Sequence, residues 1–137
     1  DTIASNANYQ VINRADCDGQ IEIAMPTMKQ MLKETPAVDV VMALNDRSAL
    51  GALAAIESME IDNVLVYGVD GSPDVKELIN TGLIQATAAQ SPVKMGQLAY
   101  QKAKALLENK KIEKKIEVPV ELISRDNISN FELTGWQ

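Results

Sequence analysis

Three polar residues stand at the ends of apolar, strand-forming runs in this 137-residue chain: Asn45 after DVVMAL, Asp70 after NVLVYGV and Gln90 at the end of IQATAAQ. A carboxylate accepts from two neighbouring hydroxyls at once, and the Asn and Gln amides each add a donor pair and an acceptor. Together they suit a neutral, polyhydroxylated ligand. They do not suit a phosphate, because no G-x-G-x-x-G or G-x-x-x-x-G-K-[ST] loop follows any of the runs. Each residue also has a plainer reading. Asn45 can cap the helix that follows, a task for which Asp46 is equally well placed. Asp70 can simply favour an Asp-Gly turn, and Gln90 can be a solvated strand end. Convergence of all three on one edge strengthens the ligand reading.

Other residue types exclude most common chemistries. There is no His, which removes the usual general base, the Ser-His and Cys-His triads and most catalytic zinc sites. Cys17 is the lone Cys, so it forms no intramolecular disulfide; with no His to activate it, it reads as a small packed residue rather than a nucleophile. No metal site and no cofactor is expected. Lys plus Arg number 13 against 19 Asp plus Glu, a formal charge of -6, which disfavours a nucleic-acid partner. No apolar run approaches the roughly 18 residues that span a bilayer. The 46% hydrophobic and 23% charged residues are ordinary for a globular domain.

The elements that must position the three polar residues alternate in period. Residues 9–13 (YQVIN) read as a short first strand. Residues 19–34 follow with helical spacing of Ile21, Ala24, Met25, Met28, Met31 and Leu32, Pro26 either kinking that helix or starting its regular part. Residues 39–44 predict a strand buried on both faces, 47–59 a small-residue helix, and 63–69 a second buried strand. Ser72 and Pro73 supply a cap and a preorganised first turn for a short helix to about Asn80, and 84–90 form another strand. Ser91-Pro92 repeats the cap chemistry before a helix to Glu108, with Val93, Met95, Leu98, Ala99, Ala103, Leu106 and Leu107 as its expected buried set. A lysine-rich turn (NKKIEKK) leads to a last strand over 116–123. This order predicts an α/β class: a doubly wound, mostly parallel sheet with helices on both faces. In such sheets ligands bind beyond the carboxyl ends of the strands, where Asn45, Asp70 and Gln90 fall.

At these residues the chain resembles the type I periplasmic sugar-binding proteins of ABC transporters, the ribose-binding and galactose-binding family. The resemblance is carried by ALNDRSALGALAAIES (43–58), VYGVDGSPDVKELINTGLIQATAAQSPVKMGQLA (66–99) and VPVELISRDNI (118–128). It implies that Asn45, Asp70 and Gln90 contact a sugar, with Val69 at a wall position that is aromatic in some members. Cys17, in A-D-C-D, stands near where many members carry an aromatic that stacks on the sugar ring. A thiol offers little ring-face stacking, and the chain is poor in aromatics generally.

The same resemblance implies a flavodoxin-like lobe of a two-lobed receptor. Residues 1–90 correspond to a C-terminal sugar-binding lobe lacking its first strand and most of its first helix, whose last turns fall on residues 1–5. Residues 91–121 correspond to a helix and strand of the N-terminal lobe, and 122–137 to the return. The chain is therefore expected to be a fragment whose helix 92–108 lacks its cover and drives a homodimer or swap. The implied partners are a pentose or hexose, the missing N-terminal lobe and a membrane permease, with a periplasmic or extracellular location, free or lipid-anchored, and no enzymatic step. One rival is the sugar-sensing effector domain of a LacI-type transcription regulator, which shares the fold. A second is a phosphoryl-accepting receiver using Asp70, against which stands the lack of two adjacent acidic residues near the start.

Overall fold

Parallel strands cannot be joined by tight turns, so each connection must carry a crossover, usually a helix. The computed structural model, which describes residues 5–136, has this order. Strands β1 (Val40–Met42), β2 (Leu65–Asp70) and β3 (Ala86–Ala89) run parallel, and β4 (Glu121–Ser124) lies antiparallel to β3. The sheet order is β1-β2-β3-β4. Helix α1 (Ile21–Glu34) precedes β1, α2 (Asp46–Ser58) joins β1 to β2, α3 (Pro73–Thr81) joins β2 to β3, and α4 (Pro92–Leu107) precedes β4. A short 3-10 helix, Ile128–Asn130, follows β4. The α/β class with a mostly parallel sheet is thus observed.

The core lies where α1, α2 and α3 meet the sheet. Side chains alternate between faces along a strand, and the register pairs Gly68 with Thr87 and Thr87 with Ile123. Val66, Gly68, Thr87 and Ile123 therefore share one face. Gly68 lies against Asp46 and Ala49, which identifies this as the side covered by α2. Val66 and Ile123 are fully buried there with Ala49, Ile56, Val75 and Ile79. Helices α1 and α2 approach closely because α2 carries Gly51, where an added Cβ would lie 2.6 Å from the Ala24 Cβ. Pro26 sits within α1, which begins at Ile21.

Four expectations need correction. Residues 9–13 form no strand, and Tyr9, Val11 and Ile12 are exposed. A strand exists only where a neighbour completes its ladder; among the described residues β1 pairs with β2 alone, and residues 9–13 do not reach its other edge. The run 39–44 is not covered on both faces, since Val40 and Met42 are exposed and Leu44 is 90% exposed. The first two lie on the sheet face opposite Val66, where Leu65 and Leu122 are exposed as well. The last strand begins at Glu121, not at Ile116. Finally, none of the residues of α4 is buried, and Leu107 is 86% exposed. An amphipathic helix buries its apolar face only where another element presents one; here Ile116 and Val118 of the following loop line no more than a shallow groove with Met95, Leu98 and Ala99. The helix end expected over residues 1–5 lies outside the described residues except for Ser5, which is in a turn.

Candidate functional site

Because β1, β2 and β3 are parallel, their carboxyl ends open on one edge of the sheet. Asp70 is the last residue of β2, Gln90 directly follows β3, and Asn45 is the N-cap of α2 just beyond β1. Gln90 and Asp70 are in contact. The Gln90 side-chain Nε2 donates to Asp70 Oδ1 at 2.8 Å, and the Gln90 backbone N–H donates to the Asp70 carbonyl at 3.0 Å. Both residues are half-buried, and among the described residues Asp70 Oδ2 accepts no bond. The pair therefore offers a carboxylate oxygen and amide capacity toward a ligand hydroxyl.

The turn that presents this pair is strained. Asp70 has φ 132°, a region that L side chains rarely adopt and that persists only where the surroundings over-determine it, while Gly71, lacking a Cβ, takes φ 77° at no steric cost. The Gly71 N–H donates to Thr87 Oγ1 at 3.2 Å, the Ser72 N–H to Asp46 Oδ2 at 2.7 Å, and Thr87 Oγ1 donates to Asp46 Oδ1 at 2.7 Å. Asp46 is 1% exposed, and burial pushes its carboxyl above the usual carboxylate range. Donation from Ser72 and Thr87 opposes that rise, and the nearby Asp70 charge adds to it. The space for this carboxylate depends on Gly68, where an added Cβ would lie 2.3 Å from Asp46 Oδ1.

Asn45 performs the cap that its position allowed. Its Oδ1 accepts from the Ser48 N–H at 2.9 Å and the Ser48 hydroxyl at 2.6 Å, while Nδ2 donates to the Gly19 carbonyl at 3.2 Å. One amide hydrogen remains for a ligand, so capping and binding are compatible. Cys17 Sγ lies 3.1 Å from Ser48 Oγ, which puts the thiol on the polar chain that ends at Asn45. Val69 pairs with Ala88 and is half-buried on the sheet face opposite Gly68. The structure thus joins Asp70 to Gln90, and Cys17 to Asn45 through Ser48, with Asp46 as the covalent neighbour of one group and the hydrogen-bonded anchor of the other. Sequence reasoning missed Asp46 and Thr87 in this role. The available signal was the single hydroxyl in the otherwise small and apolar strand ATAA.

A model of the family described as periplasmic binding protein domain matches residues 1–111. The ribose import binding protein RbsB of Bacillus subtilis is 37% identical over 118 residues, covering 86% of this chain and 38% of that protein. Its namesake in Escherichia coli is 36% identical over 96 residues, covering 70% of this chain and 32% of that protein. The chain therefore spans well under half the length of these relatives. Among solved structures, a periplasmic solute-binding protein of an ABC transporter from Actinobacillus succinogenes, with bound D-allose, superposes with a TM-score of 0.90 at 25% identity, covering 93% of this chain and 46% of that one.

Proposed function

The chain belongs to the periplasmic binding protein domain family, and from that premise we propose that it is part of the solute-binding component of a sugar ABC transporter. The observation that carries the reading is the Asp70–Gln90 pair, set in a strained turn at the carboxyl ends of parallel strands. A carboxylate oriented by an amide is suited to take adjacent sugar hydroxyls, with Asn45 adding a donor and Val69 and Cys17 flanking positions. The ligand is a pentose or hexose, in keeping with the ribose and D-allose named for the similar proteins.

No bond is made or broken in this mechanism. Residues 1–90 and 122–137 form one lobe, and 91–121 belong to an opposing lobe; sugar bridges the two, stabilises the closed state, and the closed form engages a membrane permease. The uncovered α4 supports this division, and in isolation the chain pairs with a second copy through helix 92–108. The parent works outside the cytoplasmic membrane, in the periplasm or on a lipid anchor. A single lobe supplies half the hydrogen bonds, so this chain binds weakly.

Saturation-transfer NMR with D-ribose and D-allose at millimolar concentration tests the reading. Transfer to the sugar that disappears in Asp70→Ala is expected. No transfer to any pentose or hexose, or transfer undiminished in Asp70→Ala, contradicts it.

A further inference from the structure

The backbone strain at Asp70 needs a source of constraint, and both amides that follow Asp70 lead to the same carboxylate. The Ser72 N–H reaches Asp46 directly, and the Gly71 N–H reaches it through the Thr87 hydroxyl. We infer that Asp46, acting with Thr87, is the positioning residue of the strand-end site: it fixes the turn 70–72, and so holds the Asp70 carboxylate against Gln90, without touching the ligand.

An aspartate in the first turn of a helix ordinarily complements the helix dipole at a solvated end, which needs neither burial nor distant partners. Asp46 differs on both counts. It is almost wholly buried, and its two oxygens are taken by residues 26 and 41 positions away in sequence. It adjoins Asn45 in the chain, and Thr87 precedes Gln90 by one short run of strand, so one carboxylate is tied to all three strand ends. Gly68 leaves the room it occupies. The purpose assigned to the joint rests on the sugar-binding reading; its geometry does not.

Amide hydrogen exchange and a D-ribose titration, followed on the same NMR samples, separate the two. Asp46→Asn and Thr87→Val are each expected to speed exchange at Gly71 and Ser72 about tenfold, as loss of a charge-assisted hydrogen bond implies. Exchange at Val66 and Ile79 stays as in the wild type. Thr87→Ser keeps the hydroxyl and restores protection, which a packing role for the Thr87 methyl would not allow. D-ribose binding weakens about tenfold in Asp46→Asn and Thr87→Val, by the same loss. Gly68→Ala, which crowds the carboxylate without removing it, gives the same pattern. Unchanged exchange at Gly71 and Ser72 in the Thr87→Val protein overturns the inference, and that variant decides the matter if Asp46→Asn does not fold. Sugar binding absent from the wild type as well counts against the proposed function alone, because the exchange result still judges the joint.

Discussion

Helices α3 and α4 start with the same two residues and end in opposite environments. Ser72-Pro73 opens α3 and Ser91-Pro92 opens α4. In α3 the Ser72 hydroxyl accepts from the Val75 N–H, and Val75, Lys76 and Ile79 are buried; in α4 no side chain caps the first turn and no residue is buried. Even the Lys76 charge is enclosed, its Nζ donating to the carbonyls of Glu132 and Gly135 in the segment after the 3-10 helix. Burial lowers the Lys76 pKa, with the Glu132 charge opposing that shift. The contrast teaches that cap chemistry and apolar spacing suffice to form a helix, whereas packing it requires a facing layer. That layer exists for α3 in Ile84, Ile123 and Ile128, whereas α4 shares a shallow groove with Ile116 and Val118 and has no buried residue.

Paired substitutions sharpen the contrast. The largest difference is expected between Ile79→Ala and Leu106→Ala. The first removes a fully buried side chain and costs about 3 kcal/mol, read from urea unfolding at a concentration where the chain is monomeric, whereas the second costs under about 0.5 kcal/mol. Equal losses would mean that α4 is packed within the monomer. Next comes one change with two signs. Gly51→Ala drives a methyl into Ala24 and destabilises by about 2 kcal/mol. Gly96→Ala in α4 meets nothing within 4 Å and stabilises by up to about 1 kcal/mol through helix propensity. Circular dichroism melts record both. The smallest difference separates the caps: Ser72→Ala costs about 1 kcal/mol and Ser91→Ala close to none, by the usual worth of a side-chain N-cap. A matching loss at Ser91 would show that α4 acquires its cap in solution.

The same distinction governs what the sequence made legible. The helices α2 and α3, the three parallel strands and the strand-end positions of Asn45, Asp70 and Gln90 all follow from local chemistry: β-branched runs, Ser-Pro starts and the Asn-Asp and Asp-Gly turns. The strand at 9–13 and the burial that spacing implies for α4 fail because both depend on a partner, which no local pattern supplies; an uncovered α4 is what the family resemblance implied. Asn45 left two readings open, and the bond from the Ser48 N–H, three residues on, shows the cap while sparing an amide hydrogen. Asp46 was hidden for the opposite reason. As a helix-start aspartate it looks local, yet its bond to Thr87 crosses 41 positions.

On the proposed reading, sugar binds at the strand ends and not along the apolar groove of α4. Amide NMR of the isotopically labelled chain, titrated with D-ribose, tests this residue by residue. Saturable shifts are expected at Asp70, Gly71 and the side-chain amides of Asn45 and Gln90, with Met95, Leu98 and Lys102 unmoved. Shifts confined to α4, or none at Asp70 and Gln90 while sugar is bound, would contradict it.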